Sequence, residues 1–592
     1  MDKSREVVIS DLAAACGDTR EISKNREMDK WHAVSYETAE VSGVMLSADC
    51  EVNAEPVTFD PRLAGWYDIW VGMYAEPALG GAQQYEGYLK LKSDLELQTL
   101  TPSKHLGRHK IDEFLWRAAD MTGETLTLGH PHARGSDYDT AFAFFRFVPL
   151  DDEAVARRRA EFTGKRHKKI FATHDMHWFM YFYNPQRDED WLRIPYEYID
   201  SDVESLSIEY LNIFDGDIFS ERAEDCAFAQ MGDRNVQEGL RRFFLRPDPV
   251  YSKVIERGHD LGLEMYMGLR MGAWAIEFPL EGGYFDRKFA RENPHLRCVD
   301  RDGTALGGLS YAYPEVQENM LFHLSHMLSF GCDGVSLIYT RGTPYVLFEQ
   351  PVLDLFAQRY PDVDARHLPN TDPRLEEVRV GIMNGFMRRV RSLLDAHAAG
   401  GKRLLVNAHV HTSVADNLYY GLDIKTWVDE GLVDKLIVNN DRHWENLDAD
   451  VWQDEEHTLI DLKKYACWAR SAPESVSCRN VFDHDIPAEA IEEYLAIAKD
   501  TGVRIICDVQ TRHLPFEKAQ REVLRFIENG VESFCMWDTY QSKPVGRNWA
   551  FASRVGHTDE VAGMTAGDCC RTHRVLSLAG IHVGRYFPSW GG

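Results

Sequence analysis

Polar and aromatic residues gather wherever an apolar run of this chain stops. His174, Asp175 and Trp178 follow IFAT, Arg270 closes LEMYMGLR, and Arg341 follows CDGVSLIYT with Glu349 eight residues further on. His409 and His411 end LLVNAHVH, Asn440 and Asp441 end KLIVNND, Asp508 and Arg512 lie in IICDVQTR, and Trp537 and Asp538 close SFCMWD. A sugar site uses this mixture: flat apolar faces to stack on, bidentate donors for hydroxyls, and two carboxylates for acid and base work. Any one of these residues reads equally well as a solvated loop residue or half of a structural ion pair, and Trp537 alone as a cap on a core. The repetition at successive run ends gives the set its meaning.

Those ends need elements to hold them. Residues 35–150 alternate apolar and polar in GWYDIWVGMYA, YEGYLKLKSD and TAFAFFRFVPL, with Gly, Pro and Asp turns between, the pattern of an antiparallel sandwich. A charged connector without an apolar stripe, DDEAVARRRAEFTGKRHKK, follows at 151–169. Beyond it, eight short apolar runs alternate with helical stretches that tend to stop at glycine. The expected architecture is a β-sandwich, jelly-roll-like, over 1–150, a helical linker over 151–168, and a (β/α)8 barrel with enlarged loops over 169–592. In such a barrel the side chains just past each strand converge on one mouth. No G-x-G-x-x-G or G-x-x-x-x-G-K-[ST] follows any run, which counts against nucleotide cofactors.

Composition narrows the partners. With 66 basic and 94 acidic residues the 592-residue chain carries −28, which argues against nucleic acid or an anionic membrane surface. No basic segment leads into an apolar core at the N-terminus, and no run approaches a membrane span, so a cytoplasmic protein is expected. The eleven cysteines are scattered and lack a C-x-x-C pair, as in a reduced protein. Cys507 and Cys535 lie inside apolar runs, where a thiol is inert rather than nucleophilic. His409 and His411 stand two apart, and with His174, His177 and Asp538 they outline a conceivable metal centre of a barrel hydrolase or isomerase. That spacing matches no established ligand geometry, and hydroxyl recognition is the preferred reading; no metal or cofactor is expected.

CDGVSLIYTRGTPYVLFEQP, AHVHTSVADNLYYGLDIKTWVDEGLVDKLIV, ENGVESFCMWDTY and LSYAYPEVQENML resemble segments of the uncharacterised bacterial glycosyl-hydrolase-like barrels that are distantly similar to family ten xylanases. The resemblance runs over about 170–590. RAADMTGETLTL and FRFVPL look like the jelly-roll modules that precede such barrels. It implies glycoside hydrolysis of an oligosaccharide or small glycoside, with the sandwich as a carbohydrate-binding module or a means of homo-oligomerisation. One position departs from the group: where relatives keep an aspartate in the fourth strand, this chain has Ile338.

Hydrolysis by two carboxylates needs one protonated and one ionised. Glu349, flanked by Val346, Leu347, Phe348 and Pro351, is expected as the acid/base because desolvation raises a carboxylate's pKa. Asp508, near Arg512 and His513, is expected as the nucleophile or base, a strand-four and strand-seven pairing like that of xylanase-type barrels; Asp441 is the competing partner. Arg270 and Arg341 would clamp hydroxyls, and Trp178, Tyr311, Tyr313 and Trp537 would stack on rings. His174, Asp175, His409, His411, Asn440, Arg512 and Asp538 complete the expected substrate-binding set. A non-catalytic carbohydrate-binding barrel is the alternative beside the metal-dependent one.

Overall fold

In the computed structural model the described residues are 6–17, 19–49, 51–75, 84–102, 109–131, 138–161, 165–211, 231–272, 288–340, 344–398, 401–439, 451–453, 459–461, 486–509, 516–537, 546–565 and 572–579. Eight strands close a parallel barrel in chain order. They are Ile170–His174, Val203–Glu209, Glu264–Arg270, Gly334–Ile338, Leu405–Val410, Lys435–Val438, Arg504–Asp508 and Ser533–Met536, seven of them in the apolar runs quoted above and the second in the run that includes LSIEY. The ring closes where Ile170 pairs with Phe534. These runs are apolar throughout because a parallel strand is covered on both faces, by the barrel interior and by the helices outside. Helices such as Pro314–Leu328 and Phe516–Glu528 supply that cover. Each of these two is followed by a glycine, Gly331 and Gly530, at positive φ (85° and 88°), where a side chain would be strained. Gly334 opens the fourth strand for a different reason: a Cβ there would stand 2.0 Å from the Leu405 carbonyl oxygen of the neighbouring strand.

Strand side chains alternate, so every second residue of each barrel strand faces the interior. Phe171, Tyr266, Ile437, Ile506 and Cys535 pack there as one cluster. Followed to the C-terminal strand ends, the same phase reaches Glu209, Arg270, Ile338, His409, Asn439, Asp508 and Trp537. At the opposite end it reaches Lys435, whose ammonium donates to Glu264 (2.7 Å), Tyr266 (3.0 Å) and Ser205 (3.2 Å).

Among the described residues the first domain has two mainly antiparallel sheets, of nine and four strands, the larger counting the late strand Thr572–Ser577. Their facing side chains share one core, in which the Phe59 and Phe145 rings lie 5.3 Å apart. The 151–168 connector forms the helix Asp152–Ala160, capped by Asp151, and Arg158 of that helix ties back to Asp68 of the sandwich at 3.0 Å. The boundary at 169–592 needs one amendment. The late strand Thr572–Ser577 leaves the barrel and pairs antiparallel with Lys110–Asp120, so the chain returns to its first domain. Tyr183, in the helix after the first barrel strand, also meets the sandwich, donating to Glu86 at 3.2 Å. Among the described residues no helix is long and apolar enough to cross a membrane.

Candidate active site

Two clusters meet the C-terminal ends of the barrel strands. In the first, one Arg270 nitrogen donates to both Asp175 (2.8 Å) and Glu209 (2.7 Å), joining the first three strands. Asp175 also caps the helix Met176–Tyr183, accepting from the backbone of His177 (2.9 Å) and Trp178 (3.1 Å). Both carboxylates are buried. Among the described residues the clasp sets one cation against two anions.

The second cluster joins the last four strands. Asn439, directly after the sixth strand, receives a hydrogen bond from His409 Nδ1 at 2.9 Å and donates to Asp508 at 3.2 Å. Its own backbone is fixed as well, the N–H donating to Val410 (3.0 Å) and the carbonyl accepting from the Thr412 hydroxyl (3.1 Å). Trp537 stands edge-on to His409, ring centroids 5.0 Å apart, and its buried indole N–H has no acceptor among the described residues. Phe171, from the interior layer below, meets the same imidazole at 5.9 Å.

Of the expected site residues, Asp175, Arg270, His409, Asp508 and Trp537 fall into these two clusters. His174 ends the first strand, buried against Phe179. Trp178 is half-buried on the first turn of the following helix, edge-on to Tyr181 at 5.0 Å. His411 does not share the His409 surroundings. The strand ends at Val410, and His411 instead lies against Tyr420, its backbone held by Asn417 and Tyr494. Among the described residues no group of three or more His, Cys, Asp or Glu side chains is placed to hold a metal ion. Burial pushes the Cys507 thiol well above its usual range, in keeping with an inert core cysteine. Asp441, Asn440, Arg341, Arg512 and Asp538 lie outside the described residues.

Two expectations need correction. Glu349 has no solvent exposure, and its carboxylate accepts from the main-chain N–H groups of Val299 (2.9 Å) and Leu347 (2.9 and 3.2 Å). It fastens the loop after the fourth strand to a hairpin, Arg297–Val299 with Ala305–Leu309, which sequence alone did not announce. The apolar flank predicts its burial and, through desolvation, a raised pKa, against which the backbone donors pull. Both of its oxygens are thus engaged by the chain's own backbone. Tyr311 is likewise wholly buried, its hydroxyl donating to Met271 O at 2.8 Å and its ring 4.8 Å from Phe386, so it packs a loop instead of stacking on a sugar. Tyr313 is half-buried at the start of the helix Pro314–Leu328.

Glu209 belongs to the clusters but not to the expected set, and Asn439 is the strand-end neighbour of the expected Asn440. Strand phase reveals both: Glu209 continues Ser205 and Ser207, and Asn439 continues Lys435 and Ile437.

No protein-family model matches the chain, and no curated protein does. Among solved structures it is similar to a β-galactosidase from the psychrophilic Marinomonas ef1, at 11% identity and a TM-score of 0.38, over 68% of this chain and 61% of that one. It is similar to the catalytic domain of a β-amylase from Paenibacillus polymyxa at 10% identity and a TM-score of 0.38, over 66% and 99% of the two chains. An α-galactosidase from Thermus thermophilus matches over 90% of this chain and 94% of its own, at 12% identity and a TM-score of 0.32. Scores this low transfer neither fold nor chemistry. The barrel rests on its own strand pairing, and the xylanase-like resemblance on the motifs that carry it.

Proposed function

We propose that the protein is a glycoside hydrolase acting on an oligosaccharide or small glycoside by a two-carboxylate mechanism. The observation that supports this best is the convergence of Asp175, Glu209, Arg270, His409, Asn439, Asp508 and Trp537 at one end of a closed barrel. Asp508 is the ionised nucleophile or base, held by the Asn439 amide. Asp441, two residues beyond Asn439 in the chain, takes the acid/base role that the placement of Glu349 leaves open. Glu209 and Arg270 bind hydroxyls, Glu209 balances developing positive charge, Trp537 donates its indole N–H to the substrate, and Trp178 offers a ring to stack on. Screening aryl glycosides and oligosaccharides with wild type, Asp508→Asn and Asp441→Asn tests the reading. Each variant is expected to lose about 10²- to 10⁴-fold in kcat on any substrate the wild type turns over. Undiminished turnover by Asp508→Asn refutes the assignment, and binding of sugars without turnover of any points to a non-catalytic barrel.

A further inference from the structure

We infer that Asn439 is a positioning residue that sets the tautomer of His409 and the orientation of Asp508 together, an inference that rests on the proposed role of Asp508. The reasoning is one of donors and acceptors. An ionised carboxylate only accepts, so the group of Asn439 that faces Asp508 Oδ2 at 3.2 Å is its NH2. The amide oxygen is thereby turned to His409 Nδ1 at 2.9 Å, and because that oxygen only accepts, Nδ1 carries the proton. The neutral imidazole then has Nε2 as its acceptor, the opposite of a histidine held through an Nε2–H. Asn439 is buried, and its backbone is held on both sides by Val410 and Thr412. One amide thus converts the charge state of Asp508 on the seventh strand into the hydrogen-bonding polarity of His409 on the fifth.

Phe171 and Trp537 flank His409 and do not titrate. Among the described residues the charged groups at the same barrel end are Asp508, Glu209, Asp175 and Arg270.

The test is NMR of the full chain carrying isotopically labelled histidine, with His409 assigned by its loss in His409→Gln. Near neutral pH the wild type is expected to show His409 neutral and protonated on Nδ1. In Asn439→Asp the new carboxylate favours the imidazolium and both nitrogens are expected to be protonated. In Asn439→Leu the ring is expected to revert to a majority Nε2–H form. A wild-type His409 protonated on Nε2, or on both nitrogens, overturns the inference, and that reading is available even if neither variant folds. An unchanged tautomer in both folded variants overturns it too. On a substrate that is turned over, Asn439→Leu is expected to lower kcat about 10²-fold with little change in KM, and a raised KM with kcat intact contradicts the positioning role. Because the tautomer is read without substrate, failure of the glycosidase reading and failure of this one are separable.

Discussion

Glu349 and Asp508 are both carboxylates with no solvent exposure, Glu349 at the N-cap of the helix Gln350–Arg359 and Asp508 at the end of the seventh barrel strand, and their surroundings differ in kind. Glu349 is served by its own main chain: the N–H groups of Val299 and Leu347 occupy its oxygens, and the buried Arg379 guanidinium adds its field from the helix Pro373–His397. Asp508 is met by side chains from other strands, through Asn439 to His409 and from there to Trp537. Backbone donors fasten a loop. Side-chain donors, projected in phase from several strands, build a surface on which a substrate can be held. Burial is common to both and distinguishes neither.

The two ends of the barrel repeat the lesson. At the floor, Lys435 finds Glu264, Tyr266 and Ser205 within the interior and its charge is settled there. At the mouth, one Arg270 serves two carboxylates.

The largest expected break of this contrast is Arg270→Met. Removing the cation strands Asp175 and Glu209, at a cost of about 3–5 kcal/mol in denaturant unfolding. A loss below about 1 kcal/mol would show that the two carboxylates do not depend on it. Glu349→Gln is expected to be milder, about 1–3 kcal/mol by the same measurement, because one acceptor remains and an amide NH2 now faces main-chain donors. Turnover should survive it. The smallest effect is in pH. Burial raises the Glu349 pKa from its ordinary 4.5, so the folded state favours the protonated acid. The stability this gives is complete below the ordinary value and is lost as pH rises through the folded one. Wild-type unfolding free energy should therefore fall with pH above that ordinary value by more than that of Glu349→Gln. Parallel curves for the two would remove the raised pKa from the account.

Much of the fold is legible in the sequence because it follows from local pattern. A strand buried on both faces must be an apolar run, a crossover helix must end somewhere, and Gly331 and Gly530 mark two such ends. What depends on distant partners is not legible. Thr572–Ser577 looks like any short alternating stretch until Lys110–Asp120 is beside it, and the hairpin strands Arg297–Val299 and Ala305–Leu309 are too short to carry a period. The site was half readable for the same reason. Arg270, His409, Asp508 and Trp537 stand out as polar or aromatic residues at strand ends. Glu209 requires the inward phase to be followed along the strand, since residues beyond the strand end attract attention first. Glu349 misleads because a flank of apolar neighbours predicts desolvation without saying which donors wait inside.

The central claim is that chemistry belongs to the ring of in-phase strand-end side chains and not to the loop carboxylate. The direct measurement is kcat of Asp508→Asn and Glu349→Gln side by side, on one glycoside, with both proteins shown to be folded. The account predicts a loss of about 10³-fold for Asp508→Asn and less than about threefold for Glu349→Gln. The reverse order, with Glu349→Gln inactive and Asp508→Asn competent, would contradict it.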